Sequence, residues 1–292
     1  MMKVSVIIPC MRRTQIYLDS CIQSLMRNTT SFSIELLLAP NGLDTAYPQG
    51  QCQAVNREAH HASSEWLFII NDDMYFPPGW DDASDFTRTW CWSPNLIEPM
   101  EVGSADGFLK CDAHCDIGAF DQTAVDQMAS ELRQHHQGWQ RAFNFPIFIN
   151  KTLWDIIGGY DTRYDPWGSN SDSDLLAKVV LAGIQPLRNR DCFLYHFSGK
   201  AGTFDGSHET ERQNNFKYYE SKWGFKRHPE IVNGIIDLQA LRYRPWWMGK
   251  FTQSTMQTAT ATRQYSWNSS HVRSNENIAQ PNNNSLQAGD FS

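Results

Sequence analysis

Apolar residues along this chain come in short runs that stop abruptly at polar or proline punctuation. Val4 to Ile8 (VSVII) is β-branched and stops at Pro9, as a strand buried on both faces would. Ile34 to Leu38 (IELLL) reads as a second buried strand, broken by Pro40-Asn41-Gly42. Trp66 to Ile70 (WLFII) reads as a third, ending in Asn71-Asp72-Asp73. Between these runs the apolar spacing becomes helical. Leu18, Cys21, Ile22, Leu25 and Met26 line one face of a helix that Thr14 can cap. A weaker helical pattern covers roughly Gln53 to Ser63. Alternating strands and helices at this spacing predict βαβ units and a parallel sheet. Ligands of such sheets sit beyond the carboxyl ends of the strands. Here those ends are Pro9-Cys10, Pro40-Asn41-Gly42 and Asn71-Asp72-Asp73, where the polar punctuation falls.

From Asp81 to Gln140 the pattern loosens into polar residues, His and Trp, with no strand predicted. Phe145 to Ile149 (FPIFI) returns as an apolar strand. A helix starting near Asp172 carries Leu175, Leu176, Val179, Val180 and Leu181, with Gly183 as its stop. Phe193 to Phe197 (FLYHF) is strand-like. His208 to Trp223 is predicted helical, with Phe216, Tyr219 and Trp223 on one face. From Gln253 the composition shifts to Ser, Thr, Asn and Gln, which predicts a disordered tail. The expected organisation is one α/β domain over 1–252, with an irregular region at 81–140, and a tail over 253–292.

A chain of 292 residues can bury about three quarters of its unfolded surface, enough for a full core. Its formal charge of −7 argues against sequence-independent binding to nucleic acid, which needs many cationic phosphate contacts. No apolar run approaches the length of a transmembrane helix. Lys3 leads straight into a strand-like segment, leaving no room for a signal peptide. Seven irregularly spaced cysteines suit reduced thiols and a cytoplasmic setting.

Candidate chemistry concentrates in three places. In Asn71-Asp72-Asp73 two adjacent carboxylates repel each other unless a cation or donor balances them. A hard divalent cation suits the spot, with a diphosphate completing its coordination; a solvated turn or helix cap is the plainer reading of these three residues alone. Asp172 and Asp174 stand two apart at a helix start and so diverge. One can face a cleft while the other pairs inside, although both also simply complement the positive helix N-terminus. His196, in an apolar strand, reads as a core residue unless Asp73 lies beside it. Cys111, His114 and Cys115 lack the second ligand pair of a zinc site and read as loop residues. Arg242 to Lys250 mixes basic residues with Trp246-Trp247; packing of the Trp pair is the simpler reading, and closure over the site or contact with a membrane surface the alternatives.

Taken in order, these pieces resemble the family 2 glycosyltransferases, which have the GT-A fold. The matching segments are VSVIIPC, IELLLAPNG, the Asn56–Ala62 stretch, WLFIINDD, PPGW, FINKTLWDIIGGYD, SDSDLLAKVVLAG, YHFSG and KWGF, over residues 3 to about 226. The resemblance implies a Rossmann-like, mostly parallel sheet flanked by helices. It implies inverting transfer of a sugar from a nucleotide-diphosphate donor to a glycan, lipid-linked or protein acceptor, assisted by Mn2+ or Mg2+. Peripheral contact with a membrane surface would accompany a lipid-linked acceptor. Carried over position by position, Pro9, Met11, Asn41, Asn56, Asn71 and Asp72 line the donor; Asp73 and His196 hold the metal; Asp172 is the general base; Gly159, Tyr160 and Trp167 lie toward the acceptor. Asn71, Asn41 and Ser171 stand where the family often carries acidic residues, which removes negative charge around the donor.

Two rival classes share parts of this pattern. A sugar nucleotidyltransferase needs a glycine-rich phosphate loop after the first strand, and Pro9-Cys10-Met11-Arg12-Arg13 contains no glycine. A non-catalytic glycan- or nucleotide-sugar-binding protein of the same fold would suit the eleven tryptophans. The presence of both Asp73 and Asp172 favours an enzyme.

Overall fold

A computed structural model describes residues 1–11, 14–42, 50–101, 108–198, 208–224 and 245–249. The predicted tail at 253–292 lies outside the described residues. Strands β1 (Lys3–Cys10), β2 (Ser33–Pro40) and β3 (Trp66–Ile69) and helices α1 (Gln15–Asn28) and α2 (Gln51–His61) form the expected βαβ start. β4 (Met74–Tyr75), β5 (Cys91–Pro99) and β6 (Leu109–Cys111) follow, then α3 (Gln122–Arg133), β7 (Trp139–Arg141), β8 (Ile147–Asn150), α4 (Lys151–Ile157), α5 (Ser171–Leu181), β9 (Leu187–His196) and α6 (Glu209–Trp223). Among the described residues, one mixed sheet runs β2-β1-β3-β8-β5-β9-β4, with β6 beside β5 and β7 beside β9. Its longest pairings, β1 with β2 and β5 with β9, are parallel, while β8 runs antiparallel to both β3 and β5.

Alternation along β1 divides the core. Val4, Val6 and Ile8 face α1, while Ile7 joins the layer built from α2, α4 and α5. The register that sets Phe68 and Trp92 opposite Phe148 also stacks the three rings, with centroids 3.7 and 4.0 Å apart. That stack ties the parallel half of the sheet to β5 across the antiparallel β8.

Four expectations need correction. β2 is half-buried, not buried on both faces, because it forms the sheet edge and pairs only with β1. The region read as irregular supplies β5, which is buried throughout and lies in the middle of the sheet. On α1, Met26 is exposed and Tyr17, Ser24 and Asn28 join the buried face instead. On α6, Phe216 lies at the surface and Asn215 takes its place below, in the i, i+4 stripe Asn215, Tyr219, Trp223. The Trp pair divides: Trp247 is buried in the core and Trp246 is exposed. No described helix is long and apolar enough to cross a membrane. No disulfide is formed by the seven cysteines, all of which lie among the described residues.

Candidate active site

The carboxyl ends of the first three strands are knitted together by short-range bonds. Asn41 N donates to Cys10 O at 3.3 Å, and Gly50 N, at the start of α2, donates to Asn41 O at 3.1 Å. Thr14 stands at the N-cap of α1 but makes no capping bond with its side chain. Its hydroxyl instead lies between Met11 O and Asp72 Oδ2, which ties the end of β1 to the residues after β3. Pro9, Met11, Asn41 and Asp72 are buried here, and Asn71 is partly exposed. Burial, reinforced by the neighbouring Asp73, pushes the Asp72 carboxyl up to about 7.

Asp73 faces His196 as the sequence required for either to act as a ligand. Met74 pairs with His196 in the sheet, and Phe197 N donates to Asp73 O at 3.0 Å, so strand pairing sets the two side chains together. His196 Nε2 lies 3.4 Å from Asp73 Oδ1, an oxygen that is buried and has no hydrogen-bond partner. The charged His196 ring beside it partly offsets the cost of burying this oxygen, and a cation held between the two would do the same. Asp73 and His196 offer an oxygen and an imidazole nitrogen, a donor pair that suits Mn2+. Among the described residues no three His, Cys, Asp or Glu side chains form a ready cage. On the far side of the ring, His196 Nδ1 lies 3.3 Å from Glu98 Oε1, and Glu98 Oε2 lies 3.5 Å from Lys110 Nζ. Burial alone would lower the imidazole's affinity for a proton; the flanking Asp73 and Glu98 carboxylates reverse this and raise it to about 10.

The second carboxylate site begins at α5. Asp172 sits in its first turn, half-buried, and its Oδ1 accepts a 2.7 Å bond from the Tyr160 hydroxyl. Desolvation lifts this carboxyl to about 6, with the tyrosine's bond acting in the opposite direction. Tyr160 is itself fixed. Asn56 Nδ2 donates to Tyr160 O at 2.8 Å, and Tyr160 N donates to Asn56 Oδ1 at 2.9 Å. Asn56 thus uses both polar ends on the backbone of one residue. Gly159 precedes it in the left-handed region at φ +56°, and a Cβ there would lie 2.6 Å from Asn56 Oδ1. Asp165 joins this assembly to α2: its Oδ1 accepts from Cys52 N at 2.7 Å and its Oδ2 from Gln53 N at 3.0 Å. It caps α2 from a distance, and α2 starts from the peptide bonded to the end of β2. Trp167 stacks on His208 with centroids 3.5 Å apart.

Asp174 takes the opposite role. It is fully buried, its Oδ1 accepts from Lys222 Nζ at 2.6 Å and Trp223 Nε1 at 2.8 Å, and its Oδ2 lies 3.1 Å from Lys178 Nζ. It binds α6 to α5, and the two carboxylates diverge as their spacing on a helix requires.

Sequence reasoning did not single out Glu98 or Asp165. A lone Glu in the apolar stretch Leu96-Ile97-Glu98-Pro99 was a signal, since carboxylates are rarely buried without a partner. Asp165 carried none, because its partners Cys52 and Gln53 lie more than a hundred residues away. Of the residues read as a loop, Cys111 ends β6 and pairs with Pro99 next to Glu98, while His114 O accepts from the Tyr195 hydroxyl at 2.8 Å and His114 Nδ1 sits 2.7 Å from Glu101 Oε1.

No protein-family model and no curated protein matches the chain. Among solved structures it is similar to GalNAc-T7, crystallised with UDP, GalNAc and Mn2+, at 15% identity and a TM-score of 0.50. The match covers 76% of this chain and 48% of that one, so the chain spans about half the length of GalNAc-T7. The catalytic domain of Drosophila beta1,4galactosyltransferase 7, in complex with xylobiose, matches at 11% identity over 65% of each chain; its TM-score of 0.42 is too low to carry an argument. The fold expected from the motifs, an α/β GT-A sheet flanked by helices, is the fold found.

Proposed function

We propose that this chain is an inverting glycosyltransferase that moves a sugar from a nucleoside-diphosphate donor to an acceptor hydroxyl, with metal assistance and Asp172 as general base. The observation that carries the reading is a pair of carboxylates in contrasting surroundings, Asp73 after β3 of the mixed sheet and Asp172 in the first turn of α5. Asp73 is buried, with an oxygen that accepts no hydrogen bond 3.4 Å from His196 Nε2; Asp172 is half-buried with Tyr160 on one oxygen. A carboxyl raised toward neutrality by burial, as Asp172 is, is a candidate for moving a proton. The GalNAc-T7 structure, with UDP, GalNAc and Mn2+ bound, supports the same reading by likeness of fold.

In this mechanism the acceptor oxygen attacks the anomeric carbon as the bond from that carbon to the diphosphate oxygen breaks. The acceptor proton passes to Asp172. Tyr160 occupies Oδ1, which leaves Oδ2 to take that proton. A base near pH 6 is mostly ionised at neutral pH and still basic enough to accept, an effect typically worth about 10²–10⁴ in rate. A single displacement needs no nucleophile from the enzyme, and it inverts the anomeric carbon. Asp73 and His196 would hold the cation, and Mn2+ or Mg2+ there would neutralise charge developing on the departing diphosphate. Pro9, Met11, Asn41, Asn71 and Asp72 line the nucleotide side. Asn56 contributes by fixing the Tyr160 peptide, and Gly159, Tyr160 and Trp167 border the acceptor side.

A thermal-shift panel of nucleoside diphosphates with Mn2+ or Mg2+ tests this reading. A ligand present at 100 times its Kd should add about 2.7 kcal/mol of stability. Failure of every nucleoside diphosphate to stabilise the protein, with either metal, would remove the donor site from the account.

A further inference from the structure

Glu98 has no role in the chemistry above, yet its position is costly. It lies in β5, a strand buried along its whole length, and its own exposure is 5%. A carboxylate in such a place needs a partner that makes use of its charge. Its Oε1 points at His196 Nδ1, 3.3 Å away, while the other ring nitrogen of His196 faces the orphaned Asp73 Oδ1 at 3.4 Å. The strand pairing behind this alignment is parallel: Ile97 of β5 pairs with Tyr195 of β9, which sets Glu98 alongside His196. Asp73, His196 and Glu98 thus form a line, with Lys110 Nζ 3.5 Å from the outer oxygen of Glu98.

We infer that Glu98 is a positioning residue for metal binding, acting through His196. Once a cation has displaced the Nε2 proton, a carboxylate that accepts from Nδ1–H keeps the Nε2 lone pair aimed at the cation beside Asp73 and raises its basicity as a ligand. The arrangement is the carboxylate–histidine–cation relay in which such outer partners typically contribute about 10- to 100-fold in metal affinity. The inference rests on the proposal that Asp73 and His196 hold the cation, and it adds a residue that would touch neither cation nor sugar.

The experiment uses the full chain and Mn2+ in the presence of UDP, followed by electron paramagnetic resonance. Free Mn2+ gives the affinity, and the modulation of the electron spin echo by directly bonded 14N reports the imidazole. The wild-type protein should bind Mn2+ with one imidazole nitrogen attached, and His196→Ala should lose that nitrogen signal. Glu98→Gln keeps the shape of the side chain and should leave the melting temperature within about 2 °C. It should nevertheless weaken Mn2+ binding by about 10-fold or more and diminish the 14N modulation. A merely structural Glu98 would move the melting temperature and leave the nitrogen signal of the bound metal intact. Wild-type affinity and full modulation in Glu98→Gln, with both reduced in His196→Ala, would overturn this inference alone. Absence of Mn2+ binding to the wild-type protein would overturn the metal site and this inference together.

Discussion

The Tyr160 hydroxyl donates to Asp172 Oδ1 across 2.7 Å, and this bond joins the turn after α4 to the first turn of α5. It opposes the desolvation that lifts the Asp172 carboxyl to about 6. Replacing Tyr160 with Phe removes the bond and keeps the ring, so the carboxyl should titrate higher still. A base works only when ionised, so turnover should fall about tenfold per pH unit below about pH 6 in the wild type. In Tyr160→Phe that acid limb should move to higher pH. A pH–rate profile of the two proteins checks this; coincident limbs would separate Tyr160 from the base.

Gly159 is the second support of the same assembly. At φ +56° an alanine costs about 1–2 kcal/mol in backbone conformation alone. Its Cβ would also lie 2.8 Å from the Trp154 ring and 2.6 Å from Asn56 Oδ1. Gly159→Ala should therefore disturb the Asn56 clamp on Tyr160 and lower kcat as well as stability. A substitution that lowers the unfolding temperature while kcat stays at the wild-type value would show that the clamp does not serve the base.

Asp174 should behave as a structural residue. Asp174→Asn removes the buried carboxylate that Lys178 and Lys222 share, leaving Lys222 with Asp161 and Lys178 with only the Gly159 carbonyl. Breaking a buried pair in this way costs about 3–5 kcal/mol. Urea unfolding should show a lower midpoint with an unchanged slope, while nucleoside diphosphate affinity at 25 °C stays near the wild-type value.

The outcome at these positions follows what a sequence can and cannot carry. β1 and β3 were legible because their runs are short, apolar and bounded by proline or polar residues, and Asp172 and Asp174 because helical geometry alone separates them. β5 was not legible. Its run holds Ser93, Pro94, Asn95 and Glu98, which mimic a loop until their partners are known. Ser93 Oγ donates to Asn144 Oδ1 at 2.9 Å, and Asn144 Nδ2 donates to Pro94 O at 3.0 Å. Those satisfactions come from residues some fifty positions away, and no local pattern records them. β2 failed in the other direction: its apolar residues were visible, but its place at the sheet edge is a fact of topology.

At that edge, Glu35 makes a pH-dependent contribution to stability. Burial alone would raise its carboxyl, but hydrogen bonds from Ser5 and Ser63, with Lys3 beside them, outweigh this and lower it from 4.5 to about 2. A carboxyl depressed in the folded state stabilises the fold fully above its unfolded value, and the contribution disappears as pH falls through the folded one. Glu35→Gln should therefore be less stable than wild type at pH 7, and the difference should shrink between about pH 4.5 and pH 2. Denaturant titrations across that range check it.

The central claim is that Asp73 and Asp172 serve one sugar transfer in different capacities. Its most direct measurement is the release of nucleoside diphosphate from a panel of nucleotide sugars with Mn2+, comparing wild type with Asp73→Asn and Asp172→Asn. At least one donor should be turned over by the wild type and lose its metal dependence in Asp73→Asn. In Asp172→Asn, turnover of that donor should fall by about 10² or more while its binding stays nearly unchanged. Wild-type turnover in Asp172→Asn, or no release from any donor by the wild-type protein, would contradict the account.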